Sequence, residues 1–306
     1  MIPGFVLAAA VDATDPVLVA CAAEPIATGT GAATGAVTRL VGTARAGGRE
    51  HGFTMVRKEF RPLRSGRHAA GAGDPRHWAY WRREPLAYAS ALLPAGPGLA
   101  APRCYGVVDD VLYLQDVRGA AESPHVAARR LGAWQAATPV PDVPWLAGHQ
   151  LAQRLAVTDL DRTTVDADPR LASIWSRRHD LLARLRDVPE ALSHGDFHLG
   201  QLVAVDDVTV VLDWATLGAG PVGADLAHLA LSTLDDLVAD YLAGAADRFD
   251  PTEVLAGYRA TVALTGASRV HWMLSHDVPI PRGYVDFVID QGGAATTSTN
   301  LGDAAG

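Results

Sequence analysis

The 306-residue chain contains two cysteines and no hydrophobic run that approaches a membrane span. Cys21 and Cys104 are too few for a disulfide framework or a cysteine-based metal cluster, so we interpret both as small core residues. A spanning helix needs about 20 consecutive apolar residues. The N-terminus also lacks the basic head of a signal peptide. We therefore expect a cytoplasmic protein that does not contact a membrane.

Lysine is almost absent, because Lys58 is the sole lysine among 26 basic residues. Apolar residues make up 49% and charged residues 20% of the chain, which predicts a globular protein of one or two domains. From His194 onward there are fifteen acids and four bases, a net charge of −11, against +3 before it. This balance argues against nucleic-acid binding. It suits a cationic small molecule, although acids that only keep the protein in solution would give the same balance.

Polar residues cluster around one short predicted hairpin. The stretch SHGDFHLGQ is followed by two apolar runs, 202–205 and 208–212, which flank an Asp-Asp pair suited to a tight turn. We interpret this segment as loop, strand, turn and strand. The hairpin would bring Asp196 at its head back beside Asp213 at its far end. One loop would then hold an acid, the amide of Gln201 and a second acid.

Phosphoryl transfer from a nucleotide requires this set of groups. A carboxylate takes the proton of the acceptor hydroxyl, and oxygen ligands hold the magnesium ion that bridges the phosphates. Asp196 is our candidate for the catalytic base, and Gln201 and Asp213 are our candidates for the metal ligands. A zinc site made of His194, His198 and Asp196 is an alternative, but it lacks a fourth ligand.

The order of these residues resembles the catalytic loop of protein kinases, with Gln201 in place of the usual asparagine. The glycine in His-Gly-Asp and the segment 218–227, GAGPVGADLA, are typical of the aminoglycoside phosphotransferase and choline kinase group of small-molecule kinases. The motif HGDFHLGQ also resembles that of actinobacterial maltokinases and glucosamine kinases. The resemblance extends from Gly29 to about Tyr258.

The resemblance implies an α+β fold of the two-lobed protein-kinase-like type. A small β-rich lobe that binds the nucleotide would occupy residues 1–118, and a larger, mainly helical lobe with the catalytic and acceptor sites would occupy 119–306. Apolar residues at helical spacing predict helices over 125–137 and 172–185. We expect the small and polar tail 292–306 to be frayed.

Three features of the first part suit ATP. A glycine-rich turn before a predicted strand would let backbone N–H groups approach the phosphates. Its candidate residues are Gly29, Gly31 and Gly35. Segment 53–60 predicts a strand that carries Lys58, and the resemblance implies that this lysine binds the α- and β-phosphates.

The resemblance also assigns a partner for this lysine and a hinge. Asp74-Pro75 is a helix-start signal, and Glu84 on the predicted helix would orient Lys58. Pro85 interrupts this pattern, so we expect the helix to restart there. The hinge that pairs with the adenine would include Gln115 and Val117.

Further candidates lie in the second part. We expect His194 to pack and to form hydrogen bonds, and the resemblance implies that Asp225 anchors the catalytic loop from below. His198, Asp235 and Asp236 are candidates to contact the acceptor, although a histidine or an acid that faces solvent is equally compatible with the sequence.

The sequence thus predicts ATP-dependent, Mg²⁺-dependent phosphorylation of a hydroxyl on a small molecule, of the aminoglycoside or amino-sugar type, with antibiotic resistance as one biological role. One alternative is a neutral-sugar kinase of the maltokinase type. Another is a catalytically silent, kinase-like protein that binds a nucleotide or a partner. The acceptor's identity, the choice of ATP or GTP, the oligomeric state and the role of residues 1–25 stay open.

Overall fold

The computed structural model describes residues 2–26, 34–66, 68–157 and 168–297, without the side chains of 294–297. It contains two compact units. The first consists of Met1–Ala121, Pro144–Ala147 and Val203–Leu217, and the second consists of the remaining segments. We predicted a single boundary after residue 118, whereas this division also assigns two later segments to the first unit. The division into a nucleotide lobe and a catalytic lobe remains a prediction.

Most strands precede residue 122, and most helices follow it. The helices are α1 (Gly4–Val11), α2 (Arg83–Ala89), α3 (Pro124–Ala137), α4 (Gln150–Ala156), α5 (Pro169–Ser176), α6 (Arg178–Leu185), α7 (Ala224–Thr233), α8 (Val238–Ala245), α9 (Pro251–Ser275) and α10 (Tyr284–Thr297). The strands are β1 (Val17–Pro25), β2 (Thr34–Ala46), β3 (Arg49–Phe60), β4 (Leu99–Ala100), β5 (Cys104–Val108), β6 (Val111–Gln115), β7 (Ala120–Ala121), β8 (Glu190–Ser193), β9 (Leu202–Val205), β10 (Val208–Val211) and β11 (Gly218–Pro221). A β-rich N-terminal region and a helical C-terminal region confirm the predicted α+β class.

An antiparallel sheet in the order β1-β2-β3-β6-β5 forms the centre of the first unit. In β3, the buried Phe53 and Met55 alternate with the exposed Thr54, the period of two that a half-buried strand requires. These side chains pack with Val6 and Leu7 of α1 in one apolar cluster. Residues 1–25, whose role the sequence left open, therefore supply a helix that covers the sheet and an edge strand.

The predicted hairpin is present. Strands β9 and β10 are hydrogen-bonded neighbours in a second sheet of order β4-β10-β9-β7. Asp206 in the connecting turn has φ 48°, a left-handed conformation that aspartate tolerates better than most residues. The two apolar runs and the Asp-Asp pair thus form the strands and the turn that the sequence predicted.

The helix predicted from Asp74 onward begins later than expected. Residues 74–82 form turns, and α2 begins at Arg83. Pro85 lies in the first turn of α2, where N–H groups have no partner within the helix, so it causes no break. The buried guanidinium of Arg83 binds carbonyl oxygens of the preceding turn and so replaces the helical hydrogen bonds. These oxygens belong to Pro75 and His77, each at 2.7 Å, and to Trp78 at 2.8 Å.

The second unit is mainly helical and is built around α9. The Asp250 carboxylate accepts a 2.7 Å hydrogen bond from the Thr252 N–H, and Pro251 occupies the first helical position, a common way to begin a helix. Val254, Tyr258 and Val262 are fully buried. Helices α7 and α10 pack against α9, so this helix is surrounded by its neighbours over most of its length.

The predicted helix over 172–185 is two helices, α5 and α6, divided at Arg177. The Arg177 N–H bonds to the Ile174 carbonyl three residues back, and the Ser173 carbonyl accepts the Ser176 hydroxyl instead. A serine that bonds back to its own helix competes with the regular pattern in this way.

The C-terminal part is helical further than expected. Helix α10 extends to Thr297, into the segment that we predicted to be frayed, and the rest of that segment lies outside the described residues. Within the part of the chain that the structure describes, there is no helix long and apolar enough to cross a membrane.

Candidate active site

Three charged side chains meet in the first unit. Lys58 lies near the end of β3, paired with Val37 of β2 and Leu112 of β6. Its ammonium Nζ lies 2.6 Å from Glu84 Oε2 and 2.7 Å from Asp213 Oδ1. Lys58 and Glu84 are buried, whereas the Asp213 side chain is 38% exposed. One cation thus joins a strand, the first turn of α2 and the loop after β10.

Burial controls the protonation of this cluster. It raises the pKa of Glu84 to about 7, because the favourable charge of Lys58 is opposed by the second carboxylate, Asp213. Burial alone would lower the pKa of Lys58, but the two carboxylates outweigh it and raise that pKa. The lysine therefore stays charged, while Glu84 can bind a proton near neutral pH.

Asp213 occupies a constrained position. Its φ of 59° and ψ of 69° are left-handed, and a short 3₁₀ turn, Trp214–Thr216, follows. The fully buried Trp214 donates from its indole Nε1 to the Val211 carbonyl at 2.8 Å. The anchored tryptophan holds the loop, so Asp213 presents its carboxylate to Lys58 and partly to solvent. A carboxylate placed in this way can also bind a hard cation such as Mg²⁺.

Sequence reasoning missed Arg83, which precedes Glu84. Beside the turn carbonyls described above, its guanidinium donates to the Trp145 carbonyl at 2.9 Å and to the Ala215 carbonyl at 3.4 Å. It thus ties the start of α2 to the loop that carries Asp213. Burial lowers the pKa of Arg83 to about 10, so the side chain stays charged. Nothing in its sequence context separates it from the many exposed arginines of this chain.

The predicted hinge lies at the end of β6. The Gln115 N–H donates to the Arg103 carbonyl at 2.8 Å, and its side-chain Oε1 accepts from the Arg103 N–H at 3.3 Å. Val117 follows in a loop and is half-buried. Between them, the carboxylate of Asp116 pairs with Arg39 of β2 at 3.0 Å, which holds the hinge against the sheet.

The glycine-rich turn is described only in part. Gly29 and Gly31 lie outside the described residues. Gly35 lies in β2, where a Cβ atom would be 2.9 Å from the Arg61 Nε atom. The role of the three glycines at the phosphates remains a prediction.

In the second unit, hydrogen bonds to backbone N–H groups fix the candidate catalytic loop. Gly195 has φ 80°, which favours glycine at the middle of His-Gly-Asp. The buried Asp225 carboxylate accepts the N–H of His194 at 2.7 Å and the N–H of Gly195 at 2.8 Å. Asp225 lies in the first turn of α7, as its capping pattern indicated. It therefore fixes the chain immediately before Asp196.

Two polar residues behind Asp225 were not identified from the sequence. Gln135 Nε2 donates to the Leu192 carbonyl at 3.0 Å and to the Asp225 carboxylate at 3.3 Å. The Tyr241 hydroxyl donates to Gln135 Oε1 at 2.6 Å. Helices α3, α7 and α8 are thereby joined to the loop through buried hydrogen bonds. Gln135 lies within the apolar stripe of α3, and that position in the stripe was the available signal.

The two loop histidines have different surroundings. His194 is fully buried, and its Nδ1 accepts the Asp196 N–H at 3.2 Å. His198 is half-buried, and its Nδ1 accepts the Gly200 N–H at 3.1 Å. His198 Nε2 lies 3.7 Å from Asp196 Oδ2.

Asp196 is surrounded by basic groups. Besides His198, His228 Nδ1 lies 3.7 Å and the Arg269 guanidinium 4.0 Å from Asp196 Oδ1. Burial alone would raise the pKa of Asp196, but His228, His198 and Arg154 outweigh it and hold that pKa well below its usual range. Asp196 is therefore ionised at neutral pH and can accept a proton only transiently. Sequence reasoning missed the basic residues on α4, α7 and α9, because only the fold brings them to this loop.

The remaining candidates lie in the second unit. Gln201 ends a short 3₁₀ turn, Leu199–Gln201, and is half-buried. Asp235 is half-buried, and Asp236 is exposed and accepts the Val238 N–H at 3.2 Å at the start of α8. Their roles toward metal and acceptor, and the predicted closeness of Asp196 to Asp213, remain predictions.

A zinc site is not supported. Over the described residues, no three histidines, cysteines or acids are grouped so that they could hold a metal ion. The alternative that the sequence left open for His194, His198 and Asp196 therefore has no geometric basis.

Comparison with known proteins gave two kinds of match. The sequence profile of the phosphotransferase enzyme family matches residues 92–260, which is more than half of the chain. A search of curated proteins found no match.

Solved structures share the fold. A choline/ethanolamine kinase family protein from Mesorhizobium loti is 14% identical with a TM-score of 0.50, and covers 90% of this chain and 87% of that one. A choline kinase from Streptococcus pneumoniae is 11% identical with a TM-score of 0.50, over 91% and 92% of the two chains. A putative fructosamine-3-kinase from Thermobifida fusca is 22% identical with a TM-score of 0.49, over 93% and 96%. The first two matches confirm the kinase-like fold.

Proposed function

The chain belongs to the phosphotransferase enzyme family, and on that premise we propose that it transfers the terminal phosphoryl group of ATP, with Mg²⁺, to a hydroxyl of a small molecule. The observation that carries the proposal is the buried contact of Lys58 with both Glu84 and Asp213. A compact ammonium held by two carboxylates is poised to bind phosphate oxygens. Lys58 and Glu84 are buried, which distinguishes this contact from an ordinary ion pair on the protein surface.

The chemistry of the Asp213 carboxylate suits a magnesium ion. Asp213 would hold it through a carboxylate oxygen, since its side chain is partly exposed, and Gln201 would add an amide oxygen. The ion would supply positive charge that offsets the negative charge of the phosphates during transfer. Glutamine is one carbon longer than the asparagine of the resembling pattern, so Gln201 reaches about 1.5 Å further.

Asp196 would orient the acceptor hydroxyl and take its proton as the new O–P bond forms and the bond to the leaving ADP breaks. Its depressed pKa makes it a weak base. Most of the rate enhancement would therefore come from positioning the hydroxyl rather than from proton abstraction. The Asp225 hydrogen bonds to the loop support that positioning.

The acceptor class has two candidates. The acidic second part of the chain favours an amine-bearing acceptor, as in an aminoglycoside or an amino sugar, with antibiotic resistance as one role. The basic groups beside Asp196 instead favour an acceptor without positive charge near the reacting hydroxyl, as in a neutral sugar. The silent-kinase alternative predicts nucleotide binding without turnover.

The test is release of ADP by the purified protein with ATP and Mg²⁺, over a panel of aminoglycosides, amino sugars and neutral sugars. We expect turnover on at least one acceptor, with loss of about 100-fold or more in Asp196→Asn. Asp207→Asn, an exposed acid in the hairpin turn, is the matched control and should retain activity. Nucleotide binding without turnover on any acceptor would favour the silent protein, and no nucleotide binding would overturn the proposal.

A further inference from the structure

Arginine side chains converge on Asp196 from two helices outside the catalytic loop. Arg269 lies near the end of α9, and its guanidinium is 4.0 Å from the Asp196 carboxylate, with a third of the side chain exposed. This distance is beyond a hydrogen bond, so the guanidinium keeps donors for another ligand. Arg154 on α4 adds a second positive charge that acts on the same carboxylate.

Two histidines and one further carboxylate also lie around Asp196. Burial lowers the pKa of His198 and of His228, so both are mainly neutral at neutral pH. The Asp225 carboxylate is engaged by backbone N–H groups of the loop. Within the described part of the chain, Asp196 is the sole carboxylate within 4.0 Å of Arg269. The charges of Arg154 and Arg269 are thus matched by those of Asp196 and Asp225, and the Arg269 side chain is one-third exposed beside Asp196.

We propose that Arg269, supported by the charge of Arg154, forms an anion-binding subsite beside Asp196, and that the acceptor carries a carboxylate or a comparable anionic group near the hydroxyl that is phosphorylated. This inference rests on the proposed function and adds an anionic acceptor to its two candidate classes. A planar guanidinium fork binds a carboxylate through two parallel hydrogen bonds, which fixes orientation as well as affinity. An ammonium group at the same place would be repelled by the Arg269 guanidinium.

The subsite also explains how Asp196 could act in the reaction although its basic neighbours make it a weak base. An anionic group bound to Arg269 would hold the neighbouring hydroxyl against Asp196. Orientation of this kind contributes to the rate without requiring a stronger base.

The experiment compares sugars with the same ring that differ in charge. D-glucuronate, D-glucose and D-glucosamine are titrated into the full-length protein by calorimetry without nucleotide, at low and high salt. We expect glucuronate to bind at least about 10-fold more tightly than glucosamine, with the difference reduced at high salt. In Arg269→Gln the preference should disappear. Arg259→Gln, about 15 Å away on the same helix, should retain it.

Several outcomes would overturn the subsite. These are tighter binding of glucosamine than of glucuronate, an unchanged preference in Arg269→Gln, or no binding of either glucuronate or inorganic sulfate to the wild type. A rise in the ATP KM of Arg269→Gln with no change in anion binding would assign the arginine to the nucleotide instead. Anion binding by the wild type that is lost in Arg269→Gln, in a protein that phosphorylates nothing, would keep the subsite and remove the kinase proposal, so the two failures are distinguishable.

Discussion

At Lys58, three charged side chains share one buried position. The ammonium is within 2.7 Å of both the Glu84 and the Asp213 carboxylates. A lysine suits this place because its compact charge can serve two carboxylates, whereas the guanidinium used elsewhere in the chain needs more room. The pKa of Glu84, raised to about 7, shows that the second negative charge is only just tolerated.

We predict that Lys58→Met destabilises the folded protein more at about pH 8 than at about pH 6. Removing one partner of a buried ion pair typically costs about 3–5 kcal/mol, but protonation of Glu84 can relieve part of this cost. The pKa of Glu84 in the folded protein lies above its ordinary value of 4.5, and it would rise further without the lysine. The folded state then binds the extra proton, so stability falls as the pH rises.

Urea unfolding at the two pH values measures this effect. The double variant Lys58→Met/Glu84→Gln is the control, since it lacks the titrating carboxyl and should lose the additional pH dependence. An equal loss of stability at both pH values in the single variant would contradict the assignment of the proton to Glu84.

Asp225 offers a second prediction for a single residue. In Asp225→Asn, the NH₂ group cannot accept one of the two N–H bonds from His194 and Gly195, so a buried donor loses its partner. We expect a loss of about 1–3 kcal/mol in the free energy of unfolding. Activity should also fall, because the loop before Asp196 is no longer fixed.

Asp240→Asn is the matched control for this change. Asp240 pairs with His125 and Arg129 on the surface, and such pairs contribute about 1 kcal/mol or less. Comparable losses of stability and activity in both variants would show that Asp225 is not a special anchor.

Helix α2 illustrates how one side chain organises an element. Its first residue, Arg83, binds five carbonyl oxygens, and they belong to the preceding turn, to Trp145 and to Ala215. These hydrogen bonds replace those that a longer helix would have formed over residues 74–82. They also fix the start of α2, where Glu84 lies, against the loop that carries Asp213.

We predict that Arg83→Lys lowers the free energy of unfolding by about 2–4 kcal/mol, since an ammonium has three donors and cannot reproduce the fork. Nucleotide affinity should fall with it, because Glu84 and Asp213 lose their common support. Arg82→Lys is the control: Arg82 is 53% exposed with one ion pair to Asp110, and its change should be nearly neutral. Thermal unfolding and nucleotide titration of both variants provide the test, and similar behaviour of the two would refute it.

At the scale of the whole molecule, the charge is unevenly distributed, with an excess of acids after His194. In the proposed function a cation offsets the repulsion between these acids and a polyanionic nucleotide, and Asp213 is the acid that we propose holds it. Its carboxylate touches Lys58 and is partly exposed, so it is accessible to a metal ion.

We predict that ATP raises the melting temperature of the protein only when Mg²⁺ is present. A ligand at about 100 times its Kd stabilises the folded state by about 2.7 kcal/mol. In Asp213→Asn the dependence on Mg²⁺ should weaken strongly, whereas Asp207→Asn, an exposed acid of the hairpin turn, should behave as wild type. Equal stabilisation by ATP with and without a chelator would support the silent-kinase alternative.

Local patterns predicted much of the fold. The Asp-Asp turn between apolar runs predicted β9 and β10, and the alternation around Phe53 predicted β3. The segment before Arg83 was predicted wrongly, because its proline and aromatic residues match a helical period while their carbonyls bind a side chain instead. The sequence predicted the helix that contains Gln135 but did not identify this residue, which is hydrogen-bonded at the base of the loop.

The sequence by itself determined the features that depend on neighbouring residues in the chain. These are the strand and turn pattern, the catalytic-loop motif and the position of the single lysine. The tertiary structure alone decided which distant side chains face Asp196. His228 and Arg269 are separated from it by 32 and 73 positions along the chain and reach it only because α7 and α9 pack around the loop. Local propensity depends on neighbours in the chain, whereas electrostatic surroundings depend on neighbours in space. The charged surroundings of Asp196, by which we propose that the acceptor is selected, are therefore a property of the folded unit.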